Sequence, residues 1–262
     1  MVVSAVDMEK IERVVDVLRG CGSVLFVTGA GISADSGLPT YRGIGGLYNT
    51  KSTDDGVAIE EALSGEMLVC RPEVSWKYIY QIESACRGAR FNRGHQVIAA
   101  MEGRFERVWV LTQNIDGFHR DAGSKNIIDI HGDVHQLLCT RCDHTRTVAD
   151  YAGLKIPPRC PECGSIVRPD VVLFGEMLPR DKCDRLYAEL DRGFDIVFSV
   201  GTTSVFPYIA HPVQDARRRG VPTVEINPGG TEVSHLIDYQ FSSGAAVTLD
   251  ALWTRYLQSG EP

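Results

Sequence analysis

The sequence predicts an α/β protein: a parallel sheet flanked by helices, with a small zinc-ribbon domain and a helical and loop insertion. Three observations carry that prediction. Short apolar, β-branched runs alternate with helical patterns, a Gly29-x-Gly31-x-x-Ala34 turn joins the first run to the segment after it, and Cys139-x-x-Cys142 stands seventeen residues before Cys160-x-x-Cys163. Alternating strands and helices build a doubly wound sheet, because parallel strands need crossover helices on both faces.

The runs expected as buried parallel strands are Val24 to Thr28, Val108 to Thr112, Ile127 to Ile130, Val171 to Phe174, Ile196 to Val200 and Thr223 to Ile226. Helical periodicity is read at Glu9 to Leu18, Ser75 to Cys86, Gly94 to Met101, Pro179 to Leu190, Tyr208 to Arg218 and Ala245 to Leu257. Two segments break the alternation. Thr40 to Asp55, rich in Gly, Thr and Asp, is a long loop of the kind that more often carries function than structure. His135 to Pro169 holds the four paired cysteines, Pro157-Pro158 and five cations, with no large apolar face. A sheet domain of residues 1–39, 104–134 and 170–262 is expected, together with a loop and helical module at 40–103. Residues 135–169 form the metal-bound module that completes a discontinuous small domain with 40–103.

Length and composition agree. At 262 residues with 44% hydrophobic side chains, the chain can bury a large core and carry an appended module. Met1 to Glu12 has Asp7, Glu9 and Lys10 among its apolar residues and lacks a small-residue cleavage site, so no export signal is read. No stretch approaches the roughly twenty apolar residues of a bilayer span. A soluble, cytoplasmic, monomeric chain is expected, with no membrane partner. A formal charge of -7 disfavours general nucleic-acid binding, which needs a basic surface. Cys21, Cys70, Cys86 and Cys183 are scattered singly, as buried thiols in a reducing compartment would be.

Two CxxC turns at this spacing suit one tetrahedral zinc, each turn offering two sulfurs. Disulfides or exposed thiols are the plainer alternatives. Four cysteines fill every coordination position, which makes the metal structural rather than catalytic. Arg141, Arg146, Lys155, Arg159 and Arg168 are expected to balance the thiolate charge or to lie in solvent, with contact to an acidic partner as the rarer alternative. The glycine turn follows a strand, so backbone N–H groups would face a dinucleotide pyrophosphate, although a ligand-free tight turn would look the same. The acidic residue that usually holds the adenine ribose is missing from its place, since residues 41–55 form a loop. His131 follows one strand and Asn114 and Asp116 another, at the edge where α/β sites lie. A structural histidine and an Asx turn capping a helix are their plainer readings.

Taken together these motifs resemble the sirtuin family of NAD-dependent protein deacylases, in its bacterial type. The resemblance rests on Gly29-Ala30-Gly31-Ile32-Ser33, Ser36-Gly37-Leu38-Pro39, Arg42, Thr112-Gln113-Asn114-Ile115-Asp116-Gly117, His131-Gly132, the paired CxxC motifs, Arg168-Pro169, Phe174-Gly175-Glu176, Gly201-Thr202-Thr203-Ser204 and Asn227-Pro228. It covers nearly the whole chain. It implies a Rossmann-like NAD-binding domain, a structural Zn2+ held by Cys139, Cys142, Cys160 and Cys163, and a cleft where NAD and acyl-lysine proteins or peptides meet. The acyl group would pass from lysine to ADP-ribose with release of nicotinamide, His131 acting as general base, a task an imidazole with a pKa near roughly 6.5 suits.

The resemblance further implies that Asn114 orders water and ribose, Asp116 holds the nicotinamide amide, and Arg42 and Tyr41 meet the phosphates and sugar. Gly29, Ala30, Gly31, Ile32, Ser33, Gln113, Ile115, Gly201, Thr202, Ser204, Asn227 and Ala245 would complete the cofactor site, and Val172, Phe174 and Gly175 would contact peptide by strand addition. Desuccinylating members carry a Tyr and an Arg where this chain has Ile79 and Ile82, so acetyl is the expected acyl group. Transfer of ADP-ribose to a protein side chain and a non-catalytic NAD- and zinc-binding module are the alternative readings.

Overall fold

The structure, a computed structural model, describes residues 5–40 and 53–258. The chain begins with α1 (Ala5–Arg19), β1 (Ser23–Thr28) and α2 (Ala30–Ala34), and resumes with α3 (Ile59–Ala62), α4 (Gly65–Cys70), α5 (Pro72–Cys86) and α6 (Arg93–Met101). Then come β2 (Arg107–Thr112), α7 (Phe118–Asp121), β3 (Ile127–Asp129), β4 (Gly132–Cys139), β5 (Thr145–Thr147) and β6 (Val167–Val171). The last part is α8 (Arg180–Asp191), β7 (Ile196–Val200), α9 (Pro207–Arg219), β8 (Thr223–Ile226), β9 (Tyr239–Phe241) and α10 (Ala245–Gln258). Among the described residues no helix is long and apolar enough to cross a membrane.

Six strands form a parallel sheet in the order β3-β2-β1-β7-β8-β9. Its strands read as unbroken apolar runs because both faces are covered. Val24 and Phe26 of β1 pack beneath α1, α6 and α10 through Ile11, Val14, Ile98, Leu249 and Leu252. Leu25 and Val27 point the other way, onto Leu186 and Leu190 of α8 and Ile209 and Val213 of α9. The two-residue period of a strand thus serves two cores at once. Strand order reverses between β1 and β7, and the loops leaving their carboxyl ends diverge there to leave a crevice.

β5, β4 and β6 make a second, antiparallel sheet. The ribbon has little apolar surface of its own, so its core is borrowed. Trp76 and Val74 of α5 pack with Leu137, Tyr151 and Val167, and Trp76 Nε1 donates to Val167 O at 2.9 Å.

The five parallel strands on either side of the switch point lie where periodicity puts them, but Val171 to Phe174 is not a sixth. Its first residue ends β6, antiparallel to β4, and Phe174 makes only an isolated bridge to Ser64. The run is committed instead to the ribbon at its start, and Gly175, at φ +82°, turns the chain at its end. The sixth parallel strand is instead β9, three residues long. α6 also departs from the expected grouping of 40–103: Val97, Ile98 and Met101 pack into the core under α1 and α10. Cys70 is exposed and Cys21, Cys86 and Cys183 are half-buried, so those thiols are less hidden than expected.

Candidate active site

β1 ends in the glycine turn. Gly29 N–H donates to Val200 O at 3.1 Å, Gly31 N–H to Gly201 O at 2.8 Å, and Ile32 N–H to Gly29 O at 3.1 Å. A Cβ on Gly31 would lie 2.5 Å from Gly201 Cα, a separation no side chain tolerates. These glycines therefore lock the tips of β1 and β7 together, backbone against backbone. Of the N–H groups expected to face a pyrophosphate, those of Gly29, Gly31 and Ile32 serve the protein itself, and the helix that follows, α2, has five residues. Gly31→Ala is expected to cost about 1–3 kcal/mol by overpacking, read as a lower thermal midpoint together with weaker dinucleotide binding.

Ser33 on α2 donates its hydroxyl to Asp116 Oδ2 at 2.7 Å, and Asp116 Oδ1 accepts from Phe118 N–H at 3.0 Å. The carboxylate thus caps α7, as an Asx turn would. Burial nonetheless raises its pKa, with Ser33 and the Phe118 amide pulling the other way. Asn114 donates through Nδ2 to Gly29 O at 3.1 Å and approaches Ser33 Oγ at 3.3 Å. Ala30, Ser33, Asn114, Ile115 and Asp116 line a cavity of about 410 Å³, as does Ile82 of α5.

Gln113 joins the other half. Its Nε2 donates to Thr202 Oγ1 at 2.7 Å, and Asn227 Nδ2 donates to Thr202 O at 2.9 Å, so the ends of β2, β7 and β8 meet. Ser204 has the left-handed φ of +56°, and its buried hydroxyl has no hydrogen-bond partner among the described residues. A non-glycine residue held there costs about 1–3 kcal/mol and marks functional sites; an unpaired buried hydroxyl beside Thr202 and Asn227 is a fit for a polar ligand such as a dinucleotide.

His131 follows β3 and precedes the sharp turn at Gly132, where φ is +91° and a Cβ would collide with Asp170 O. Its Nδ1 lies 3.1 Å from Gln113 O and its Nε2 2.6 Å from the Tyr208 hydroxyl. Burial pushes the imidazole pKa below its ordinary value, partly opposed by the Gln113 carbonyl and aided by Lys182. Tyr208 and its stacking neighbour Phe206, rings 5.6 Å apart, escaped the sequence reading. Their place just beyond β7, at the switch point, is the signal that could have found them.

Other expected contacts differ. Tyr41 and Arg42 lie outside the described residues. Ala245 is buried in the core, and the amide after it donates to Asp35 Oδ2 at 2.9 Å. In the segment holding Val172, Phe174 and Gly175, the N–H groups of Val172, Leu173 and Phe174 already donate to His131 O, the Glu176 carboxylate and Leu63 O. An added peptide strand finds no free N–H from 172 to 174. Arg168, expected near the thiolates, instead forks onto Glu176 at 2.5 and 2.9 Å.

The four paired cysteines converge, their Sγ atoms all within 4.8 Å of one another. Cys139 and Cys163 stand 3.4 Å apart and Cys142 and Cys160 3.6 Å, too far for disulfides at about 2.05 Å. Tetrahedral zinc with bonds of about 2.3 Å spaces sulfurs by about 3.8 Å, so the set fits that ion. Arg141 N–H donates to Cys139 Sγ at 3.4 Å, which steadies a thiolate.

Comparison with known proteins agrees with this geometry. Residues 29–207 match the model of the Sir2 family. The chain is 48% identical over 238 residues to NAD-dependent protein deacylase 2 of Pseudomonas aeruginosa, covering 90% of this chain and 93% of that one. It is 35% identical over 231 residues to an NAD-dependent protein deacylase of Aquifex aeolicus, covering 88% and 94%. Among solved structures, a Sir2 homologue in complex with NAD superposes with a TM-score of 0.84 at 33% identity, over 95% of this chain and 94% of that one. A Sir2 variant with a deacetylated p53 peptide and 3'-O-acetyl-ADP-ribose superposes with a TM-score of 0.82 at 27% identity, over 94% and 98%. With its switch-point crevice and four-cysteine ribbon, the chain belongs to the Sir2 family.

Proposed function

We propose that the protein is an NAD-dependent protein-lysine deacylase that passes the acyl group of a lysine side chain to ADP-ribose. The observation that carries this reading is the meeting of His131, the Asn114–Ser33–Asp116 network and the Gly31–Gly201 contact at one switch point. Relatives of that name span nearly the same length. NAD, when bound, supplies a ribose carbon that gives up nicotinamide and takes the acyl oxygen.

The protein's part is to position and to move protons. Gln113 O accepts from Nδ1 and so leaves Nε2 of His131 as the basic nitrogen, the arrangement a general base for a ribose hydroxyl needs. Asp116 offers acceptor oxygens in a buried wall, suited to an amide N–H donor such as that of nicotinamide. Thr202, Ser204 and Asn227 would hold the adenosine half. Cys139, Cys142, Cys160 and Cys163 would hold a structural Zn2+ that would fix the ribbon, and the β4–β6 pairing joins the ribbon to the turn after His131.

Mass analysis of the products tests the reading: deacylated peptide with acyl-ADP-ribose supports it, and an ADP-ribosylated protein would point to transfer instead. Acyl preference follows from α5. Ile82 lines the cavity and Ile79, one turn earlier on α5, is buried; of the two described arginines that line the cavity, Arg87 is held by Glu83 and Arg90 is exposed. A succinyl carboxylate set against Ile82 would gain no charge partner from that side chain. Acetyl-lysine peptide is expected to turn over about 100-fold faster than its succinyl counterpart, or more; faster desuccinylation would refute the preference.

A further inference from the structure

The Gln113 carbonyl carries no proton, so Nδ1 of His131, 3.1 Å away, must donate. Nε2 of a neutral ring then has only a lone pair, and the Tyr208 oxygen 2.6 Å from it must be the donor. We propose that Tyr208 is a positioning residue for His131, its hydroxyl holding the ring neutral and fixed in orientation by occupying the Nε2 lone pair until a substrate hydroxyl takes its place. The proposal deepens the reading of His131 as base, yet it stands on a contact of its own.

Three features make the contact a built one. Pro207 opens α9 and sets the turn that delivers Tyr208. The Tyr208 ring stacks on Phe206 at 14°, and both rings meet the imidazole edge-on with centroids 5.9 Å away. Burial pushes the Tyr208 pKa up to about 12, so the phenol keeps its proton and remains a donor.

The charged and titratable groups around the pair come from two other elements. Lys182 of α8 lies near enough to disfavour the imidazolium, but its ammonium is bound to Asp129 O and Oδ1, both at 2.8 Å. Asp129 of β3 also accepts from Arg120 at 3.1 Å. Cys183 of α8 faces Tyr208 rather than the ring. Among these, only the Tyr208 hydroxyl touches Nε2, the atom that changes protonation.

An imidazolium could only donate Nε2–H to the phenol oxygen, which, conjugated with its ring, is a poorer acceptor than the phenol O–H is a donor, so the contact lowers the His131 pKa. Removing it raises the pKa, and a base protonated at higher pH loses activity at higher pH. The experiment is a titration of 15N-histidine-labelled, ligand-free protein by NMR, wild type against Tyr208→Phe, which keeps the ring packing. Wild-type His131 is expected as the Nδ1–H tautomer with a midpoint below 6.5, the ordinary value. Tyr208→Phe is expected to raise that midpoint by about half to one pH unit and to move the acid limb of the deacylation rate upward by the same amount.

An unshifted midpoint would overturn the proposal. A shifted midpoint with an unmoved acid limb would overturn the role of Tyr208 in catalysis by removing His131 as the base. Should the variant misfold, the wild-type tautomer decides: a proton on Nε2 contradicts the geometry.

Discussion

Replacing His131 by alanine is expected to lower the deacylation rate about 10²- to 10⁴-fold, the range a positioned general base contributes. The fold should survive, because the side chain is only partly buried and its removal forfeits two hydrogen bonds, to Gln113 O and from Tyr208, each worth about 1 kcal/mol net. Dinucleotide binding should change little. Ser33, Asn114 and Asp116 hold one another, Asn227 holds Thr202, and none of these bonds involves the imidazole. Rate measurements with an acetyl-lysine peptide, beside equilibrium NAD binding by calorimetry, separate these effects. Binding kept with turnover lost supports the assignment; turnover within tenfold of wild type removes it.

The second large effect concerns the metal. Cys160→Ser should abolish zinc retention and, with it, most of the cohesion of residues 135–169. Structural zinc supplies about 10–16 kcal/mol in small zinc-dependent peptides, far more than one borrowed apolar seam along α5 can replace. Damage should stop at the small sheet, since neither sheet-flanking core contains a ribbon residue. Far-UV dichroism should therefore change modestly. Fluorescence should report exposure of Trp76, whose indole packs on Tyr151 and donates to Val167 O. Activity should fall to background, because β6 positions the segment whose Val172 N–H binds His131 O at 2.9 Å. Metal analysis together with the fluorescence spectrum checks this; a zinc-free variant that stayed active with Trp76 still buried would refute it.

Much of this architecture could be read from residue pattern alone, for physical reasons. Strands buried on both faces cannot alternate with polar residues, so β1, β2 and β7 stand out as apolar runs. Four cysteines with this spacing suit one tetrahedral metal ion better than other uses. Strand β9 is different: Tyr239-Gln240-Phe241 is too short to show a period, and its pairing with β8 is decided by the sheet edge available.

Val171 to Phe174 misleads for the opposite reason. It has the composition of a core strand, but Gly132 and Asp170 meet so closely that the chain is committed to the ribbon instead. α6 shows an apolar face without saying which core will receive it. The glycine turn was legible as a special backbone, while its main task, letting Gly201 approach, depends on a strand far along the chain. Tyr208 illustrates the same limit. Its hydroxyl meets a histidine 77 residues away, and no local pattern announces such a pair.

The most direct test of the central claim is incubation of the purified protein with NAD and an acetyl-lysine peptide, with free nicotinamide and deacetylated peptide measured over time. Equal amounts of the two products, appearing together and only when both substrates are supplied, are the predicted result. Deacetylation without NAD, or no nicotinamide from a zinc-replete protein that binds NAD, would contradict it.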